Sequence, residues 1–352
     1  MPYTQAFIQA FGRLLSPASK RFYAALNHPE QAQKAVQQKL IHRLRSCAYG
    51  KHFKIKSVED WHRLPIVSYE DLQPWLPEQS THQTAAKFSR NNPLTPEPIL
   101  FYEPTSGSSG PKKYIPYTRS LRRSFNHLFC IWAHDLITHG PQFSTGKLYF
   151  SISPSFSKAS STSGTTDDSD YLDPWLRWLL SSFLVRAPIA HTPEAFRDTL
   201  ARSLLKAHAL EIISIWSPSF LTAQLNYIQR YQKRFQTALQ GEISEARSHM
   251  LSQNPIPWAE LWPQLKLISC WNSAIAADGA RGLRSRFPNT LVQGKGLLAT
   301  EAPMTVPLIA ANGHLPLLDE IYFEFEDEQG QCHLLHQLNT GQTYNLIISQ
   351  LG

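Results

Sequence analysis

Residues 101–118, FYEPTSGSSGPKKYIPYT, form the stretch of this sequence with the clearest potential for chemistry. A predicted strand at 99–102 leads into a loop of small and hydroxyl-bearing residues, and a helix is predicted from Thr118. Glycines let backbone N–H groups approach phosphate oxygens, serine and threonine hydroxyls add donors, and a lysine at the end of the loop adds positive charge. The pattern predicts a phosphate-binding loop, although a polar surface linker would have the same composition.

The loop differs from a Walker A motif, in which a lysine directly follows the second glycine and a serine or threonine follows that lysine. Here Pro111 follows Gly110, and no hydroxyl residue follows Lys112 or Lys113. The order of strand, Thr-Ser-Gly-Ser-Ser-Gly, lysine, aromatic residue, proline and threonine is far more specific than the composition of the loop.

Two segments share an Ile-Ser-x-Trp pattern, at 213–216 and 268–271, and each is predicted to be a strand that ends in polar residues. In open α/β sheets, ligands bind at the carboxyl ends of the strands. Trp216 and Trp271 are therefore candidate substrate-contacting residues. The alternative interpretation is two buried strands with incidental tryptophans.

The elements that must position these residues alternate between strand and helix from about residue 98 onward. The predicted strands are 99–102, 147–153, 211–216, 266–271, 290–293, 304–308, 320–326 and 344–349. The predicted helices are 118–139, 173–184, 193–209, 219–239, 242–252 and 274–286, after an N-terminal one at 30–46. Short apolar strands separated by helices indicate βαβ units and a largely parallel sheet, and segments 317–325 and 332–335 indicate a C-terminal antiparallel hairpin.

The composition is that of a packed globular protein of one or two domains. The 352 residues are 42% hydrophobic and 17% charged, below the charged share of about 25% that is typical of globular domains. The net charge is +7, but lysines and arginines are scattered, so we expect no nucleic-acid partner. The sequence shows no membrane-spanning run and no secretory signal, and its four cysteines lie far apart, which favours a reduced, cytoplasmic protein.

Several separated motifs occur in the order that they have in one protein family. They are Tyr-Gly-Lys at 49–51 with Leu-Pro-Ile-Val-Ser-Tyr-Glu-Asp at 64–71, the loop at 105–113, Ile-Ser-Ile-Trp-Ser-Pro-Ser-Phe at 213–220, and Gln-Gly-Lys-Gly-Leu-Leu-Ala-Thr-Glu at 293–301. In these motifs the chain resembles the auxin-responsive promoter family, or GH-three family, of acyl-acid amido synthetases, and especially its bacterial members. The similarity covers nearly the whole chain, from about residue 25 to residue 352.

The resemblance implies an α/β fold, the large N-terminal domain of the adenylate-forming (acyl-CoA synthetase-like) enzymes, with mostly parallel sheets flanked by helices. We expect a helical N-terminal region at 1–90 packed on the main domain, an α/β core at 91–310 and a β-rich segment at 311–352. The family's next motif, a segment like Gly-Leu-Tyr-Arg-Tyr-x-x-Gly-Asp, would begin where this chain ends. We therefore expect a chain that stops before the small C-terminal domain.

The resemblance also implies roles for individual residues. The loop that holds the β- and γ-phosphates of ATP is matched by Thr105, Ser106, Gly107, Ser108, Ser109, Gly110 and Lys113. Thr300 would contact a nucleotide phosphate, and Glu301 would help to hold Mg²⁺; Lys113 and Glu301 would be the catalytic residues. The segment beside the adenine and the acyl group would consist of Gly296, Leu297, Leu298 and Ala299, with Leu297 and Leu298 where the wider superfamily often has Tyr-Gly.

The function implied is an ATP- and Mg²⁺-dependent ligase that converts a small carboxylic acid to its acyl-adenylate and transfers the acyl group to an amine or amino acid. Such chemistry depends on positioning and electrostatics rather than an acid–base triad, and the sequence carries no G-x-S-x-G signature. One alternative is a ligase that transfers the acyl group to coenzyme A. Another is a non-catalytic nucleotide-binding remnant, and a separate chain could supply the C-terminal domain.

Overall fold

The structure is a computed structural model that describes residues 2–76, 92–105, 113–151, 173–188, 190 and 192–352. Its α-helices are α1 (Pro2–Asn27), α2 (Pro29–Leu44), α3 (Ala48–His52), α4 (Tyr69–Leu72), α5 (Arg119–His139), α6 (Pro174–Leu180), α7 (Pro193–Lys206), α8 (Pro218–Arg230), α9 (Gln232–Ala238), α10 (Glu245–Ser252), α11 (Trp258–Leu261) and α12 (Ala277–Arg286). Its strands are β1 (Phe101–Pro104), β2 (Tyr114–Tyr117), β3 (Lys147–Ser151), β4 (Leu210–Ile215), β5 (Leu267–Ser269), β6 (Leu291–Gln293), β7 (Thr305–Leu308), β8 (Gly313–Pro316), β9 (Ile321–Glu326), β10 (Cys332–His333) and β11 (Asn345–Gln350).

The chain divides into two compact units. The first unit consists of Met1–Leu14, Ala133–Gly296 and Pro307–His314, and the second consists of Leu15–Trp132, Leu297–Val306 and Leu315–Gly352. The domain boundaries expected at residues 90 and 310 remain a prediction.

The first unit is built on a parallel sheet of four strands, in the order β3-β4-β5-β6. Strand β4 reads Leu-Glu-Ile-Ile-Ser-Ile and is buried along almost its whole length, as expected for a parallel strand that is covered on both faces. Helices α7, α8 and α12 contribute Leu204, Leu225 and Leu283 to the same hydrophobic core. The α/β fold with a parallel sheet flanked by helices is therefore confirmed.

Helix α8 shows how the sequence directs these elements. Ser217 caps the helix by accepting a hydrogen bond from the backbone N–H of Ser219, and Pro218 follows at the first helical position. The buried residues Leu221, Leu225 and Ile228 then recur every three or four positions, which places them on one face of the helix. The segment predicted as one helix at 219–239 is divided at Tyr231 into α8 and α9.

A buried carboxylate, that of Glu211 in β4, organises the start of the sheet. It accepts hydrogen bonds from the backbone N–H groups of Ser144, Thr145 and Gly146 at 2.8–3.1 Å, and the Nζ atom of Lys266 lies 2.7 Å from it. Burial alone would raise the pKa of Glu211, but these donors together hold it below its usual value.

The second unit contains the β1-β2 hairpin and a three-stranded antiparallel sheet in the order β10-β9-β11. The turn between β9 and β10 spans 327–330, which confirms the predicted C-terminal hairpin. Helix α2 packs on β9 through Val36, Leu40 and Tyr322.

Gln33 of α2 forms hydrogen bonds with the backbone in and just before β9. Its buried side chain donates to the carbonyl oxygens of Leu318 (2.9 Å) and Ile321 (2.8 Å), and it accepts from the backbone N–H of Phe323 (2.8 Å).

Within the described ranges, every helix is too short or too polar to cross a membrane.

Candidate functional site

The ends of the predicted phosphate-binding loop lie side by side in the second unit. The backbone N–H of Thr105 donates to the carbonyl oxygen of Lys113 at 2.8 Å, and the N–H of Lys113 donates to the Thr105 hydroxyl at 3.3 Å. Both bonds join the two residues directly beyond Pro104 and Tyr114, the last pair of the β1-β2 ladder. The loop therefore joins two strands of a hairpin, and β2, which was not predicted, stands between the loop and the helix predicted from Thr118.

The amino group of Lys113 has two neighbours near α4. Its Nζ atom lies 2.9 Å from a carboxylate oxygen of Glu70 and 5.3 Å from the centre of the Tyr69 ring. The Lys113 ammonium group holds the pKa of Glu70 below its usual value. Tyr69 itself accepts a hydrogen bond from the backbone N–H of Tyr114, at 3.1 Å, which fixes the ring beside the loop.

Tyr117, at the end of β2, contacts the second predicted motif. Its hydroxyl donates to the carbonyl oxygen of Thr300 at 2.8 Å, and its ring stacks on Phe101 with 4.8 Å between ring centres. Tyr117 is only 1% exposed. The loop strands and the Thr300-Glu301 motif are thus joined by a hydrogen bond from a buried side chain.

The negative charges of two carboxylates, those of Glu103 and Glu301, affect the pKa of the Tyr117 phenol. Burial raises the pKa of Tyr117 well above its usual value, and the negative charges of Glu103 and Glu301 raise it further. Glu103 lies on the same face of the hairpin as Tyr117, since Phe101 pairs with Tyr117 and side chains two residues apart share a face. One face of the hairpin therefore combines hydroxyl and carboxylate oxygens.

The segment from Leu297 to Thr305 is a tight loop in the second unit. The Leu297 N–H donates to the Thr305 hydroxyl at 2.8 Å, and the Ala299 N–H donates to the carbonyl oxygen of Ala302 at 3.1 Å. Leu297 is 54% exposed, so its large apolar side chain is open to solvent or to a ligand.

In the first unit, Trp216 and Trp271 follow the adjacent strands β4 and β5. Their ring centres are 5.1 Å apart at an interplanar angle of 59°, and the Trp271 N–H donates to the Trp216 carbonyl oxygen at 2.8 Å. The Trp216 indole nitrogen is buried and has no hydrogen-bond partner among the described residues. The two tryptophans are therefore in contact at the carboxyl edge of the sheet, and their role as substrate contacts remains a prediction.

Gly294 and Lys295 directly follow the neighbouring strand β6, in the same unit. The Nζ atom of Lys295 donates to the Ser214 hydroxyl at 2.9 Å. A Cβ atom on Gly294 would lie only 2.3 Å from the side-chain oxygen of Asn272, so any larger residue there would require the Asn272 side chain to move. Gly296 has a positive φ of 69°, which also favours glycine.

The structure thus brings some of the predicted site residues together and leaves others undescribed. Thr105 lies beside Lys113 and Thr300 is bound by Tyr117, whereas the predictions for Ser106, Gly107, Ser108, Ser109 and Gly110 lie outside the described residues. Sequence reasoning missed three residues near the predicted site residues. Glu70 pairs with Lys113, Tyr117 donates to Thr300, and the charge of Glu103 raises the pKa of Tyr117. All three stand inside the stretches quoted above, Glu70 in 64–71 and Glu103 and Tyr117 in 101–118, so their positions there were the available signal.

Comparison with known proteins gives the family. The model of the GH3 family N-terminal domain matches residues 18–253, about two thirds of the chain. The chain therefore belongs to the GH3 family. No curated protein matches the sequence.

Two solved structures share the fold. "AtGH3.15 acyl acid amido synthetase in complex with 2,4-DB" superposes with a TM-score of 0.73 at 16% identity over 98% of this chain. "GH3.15 acyl acid amido synthetase" superposes with a TM-score of 0.69 at 16% identity over 97% of it. This chain spans 65% of the length of each of these two proteins.

Proposed function

We propose that this chain carries the ATP-binding and acyl-activating part of an acyl acid amido synthetase. It would bind ATP and a small carboxylic acid, form the acyl-adenylate with release of pyrophosphate, and serve transfer of the acyl group to an amine or amino acid. Membership of the GH3 family and the fold shared with two acyl acid amido synthetases support this proposal.

The observation that carries the proposal is the hydrogen bond from Tyr117 to the carbonyl oxygen of Thr300. It joins the strands that hold the predicted phosphate loop to the predicted metal-binding motif, which lies 183 residues further along the chain. A loop that binds phosphates and an acid that binds the accompanying metal ion would have to be neighbours, and this bond between Tyr117 and Thr300 supports that arrangement.

Mg²⁺ prefers oxygen ligands, and the carboxylates of Glu103 and Glu301 both lie close enough to the Tyr117 phenol to raise its pKa, which supports a metal site beside them. Glu301 would hold the ion, and the ion would supply positive charge to the phosphate oxygens as negative charge develops on them. Thr300 would contact a phosphate through its hydroxyl, as the family motif implies.

The other roles follow from charge and position. Lys113 would leave Glu70 for the more strongly charged phosphates and stabilise the leaving pyrophosphate, while Thr105 would donate to a phosphate oxygen. The segment from Gly296 to Ala299 would lie beside the adenine and the acyl group. Trp216 and Trp271 would contact the apolar body of the acid.

The test is ATP–pyrophosphate exchange with a panel of aryl and fatty acids. It is run on the 352-residue chain, on a version extended by a family C-terminal region, and on the chain with that region added as a separate polypeptide. We expect acid-dependent exchange and amide formation with the C-terminal region present, and much less with the 352-residue chain alone, since reactant positioning can contribute about 7–11 kcal/mol.

Other outcomes would redirect the proposal. A thioester product with coenzyme A, in place of an amide, would make the protein an acyl-CoA ligase. Nucleotide binding without exchange in all three preparations would favour a non-catalytic protein.

We place the activity in the cytoplasm, where the buried thiols of Cys47, Cys130 and Cys270 would stay reduced.

A further inference from the structure

Three buried side chains that carry metal-binding atoms lie together in the second unit. They are His127 of α5 and the consecutive residues Asp319 and Glu320, which stand just before β9. One ligand atom from each lies within 4.8 Å of the other two. The three side chains are only 7%, 10% and 10% exposed, so this His-Asp-Glu cluster differs from the exposed groups of acids that are common on protein surfaces.

The cluster already holds a positive charge, the guanidinium group of Arg21 in α1. The Nε atom of Arg21 lies 2.6 Å from Oδ2 of Asp319, and its Nη2 atom pairs with a carboxylate oxygen of Glu320. The Arg21 side chain is 52% exposed, whereas the carboxylates that it contacts are buried. Because a half-exposed side chain can turn outward into another rotamer, the position of the guanidinium group can be reached by a cation from solvent.

One oxygen of Asp319 is left without a partner while Arg21 occupies the cluster. Its Oδ2 atom lies 2.7 Å from Nε2 of His127 as well as near Arg21, but its Oδ1 atom is buried and accepts no hydrogen bond within the described part of the chain. A buried acceptor without a donor carries a free-energy penalty. A carboxylate can bind a metal ion through one or both of its oxygens, so an ion in place of the guanidinium group would relieve this penalty.

The geometry of the cluster suits ligands of a single ion. Two ligands at right angles around an ion that each binds at about 2.1 Å are about 3 Å apart, close to the 2.7 Å between His127 and Asp319. Ser124 donates to Oε2 of Glu320 at 2.7 Å, and hydrogen bonds of this kind fix the orientation of metal ligands. Burial alone would raise the pKa of Asp319, but His127 and Arg21 hold it below its usual value, so this carboxylate is ionised, as a ligand must be.

The donor set selects the kind of ion. It consists of one imidazole nitrogen and two carboxylates. Mg²⁺ and Ca²⁺ take oxygen ligands, whereas imidazole suits Zn²⁺ and its neighbours among the transition metals. The two negative charges balance the charge of a divalent ion. Three protein ligands also leave the fourth position of a tetrahedral zinc ion to water.

We propose that His127, Asp319 and Glu320 form a binding site for Zn²⁺, which displaces the guanidinium group of Arg21. The ion joins α5 to the segment before β9 and so stabilises the second unit. The site shares no ligand with the Mg²⁺ position proposed at Glu301, and it does not depend on the proposed synthetase function.

The test is isothermal titration calorimetry of Zn²⁺ into the chain, purified without a histidine tag and freed of metal with a chelator. We expect one equivalent to bind at micromolar concentration or below, and His127→Gln to bind at least about tenfold more weakly, since even a residue that only orients a ligand contributes about 10–100-fold. His333→Gln is the matched control, because His333 also lies 2.7 Å from a carboxylate, that of Asp327, but belongs to no group of three ligands among the described residues. Its affinity should be unchanged.

Arg21→Gln tests the displacement and cannot be explained by misfolding. It removes the competing guanidinium group, so Zn²⁺ should bind several-fold more tightly and should raise the melting temperature by more than in the unmodified chain. Co²⁺ as a second probe should give visible absorption bands that His127→Gln loses and His333→Gln keeps. Saturation only at millimolar Zn²⁺, equal affinity in His127→Gln, or weaker binding in Arg21→Gln would each overturn the proposal.

Discussion

The hydroxyl of Tyr117 lies 2.8 Å from the carbonyl oxygen of Thr300, and this hydrogen bond joins two motifs that are 183 residues apart in the sequence. The phenol is almost fully buried and its pKa is raised, so it stays protonated and can donate throughout the physiological pH range. The Tyr117 side chain therefore helps to hold Thr300-Glu301 beside the loop strands.

Tyr117→Phe should lower the free energy of unfolding by about 1 kcal/mol, because the Thr300 carbonyl loses a partner while the ring remains. We also expect Mg·ATP to raise the melting temperature less than in the unmodified protein. Tyr114→Phe is the control, since that residue is on the same strand and 39% exposed. Equal values for the two variants in urea unfolding and ligand-dependent melting would contradict this role.

Thr105→Ala combined with Lys113→Ala should abolish the rise in melting temperature that Mg·ATP produces. A ligand that binds only the native state stabilises it by mass action, so the shift reports the affinity of the loop. A shift that survives the double substitution would remove these two residues from the nucleotide site.

Glu70→Gln is the matched control for the double substitution at Thr105 and Lys113. It frees the Lys113 amino group from its ion pair, whereas Lys113→Ala removes that amino group. The ion pair of 2.9 Å competes with phosphate for the lysine, so its loss should strengthen ATP binding by a few-fold. Weaker binding in Glu70→Gln would mean that Glu70 itself positions the nucleotide.

Glu301→Gln keeps the size of the side chain and removes its charge. We expect ATP binding to depend less on the Mg²⁺ concentration, with the thermal stability of the free protein unchanged. Calorimetric titrations of ATP at increasing Mg²⁺ concentration measure this directly. Identical titrations for the variant and the unmodified chain would exclude Glu301 as a ligand of the ion.

Glu211→Gln should destabilise the protein by about 3 kcal/mol at neutral pH, because it breaks a buried, hydrogen-bonded ion pair with Lys266. The pKa of Glu211 is lowered in the folded state, so its contribution is complete above the unfolded-state pKa of about 4.3 and is lost as the pH falls through the lower folded-state pKa. The stability difference between the two proteins should therefore shrink in urea unfolding below about pH 4. A difference that is constant with pH would show that Glu211 acts through packing alone.

Gly294→Ala should be destabilising by about 1–3 kcal/mol, because the added methyl group meets the side chain of Asn272. Asn272→Ala in the same chain removes that obstacle and should restore most of the loss, measured by thermal unfolding. Without such a rescue, the strain at Gly294 would have another origin.

Local patterns were enough to predict the parallel sheet, since β4 and β5 are apolar runs that helices separate. Strand β2 was not predicted, because it has four residues and contains Pro116, which disfavours a strand interior. The pairing of Lys113 with Glu70 was also beyond prediction. It depends on tertiary structure that brings distant positions together, and no local spacing encodes it.

The hydrogen bonds of Gln33 have a consequence for how this chain folds during synthesis. Strands β3 to β6 lie side by side in the order in which they leave the ribosome, so each can pair with a neighbour that is already made. Gln33, by contrast, needs Leu318, Ile321 and Phe323, which are synthesised 285 to 290 residues later. Because such distant contacts form slowly, we expect α2 to be the exposed, chaperone-dependent segment of the nascent protein until β9 emerges.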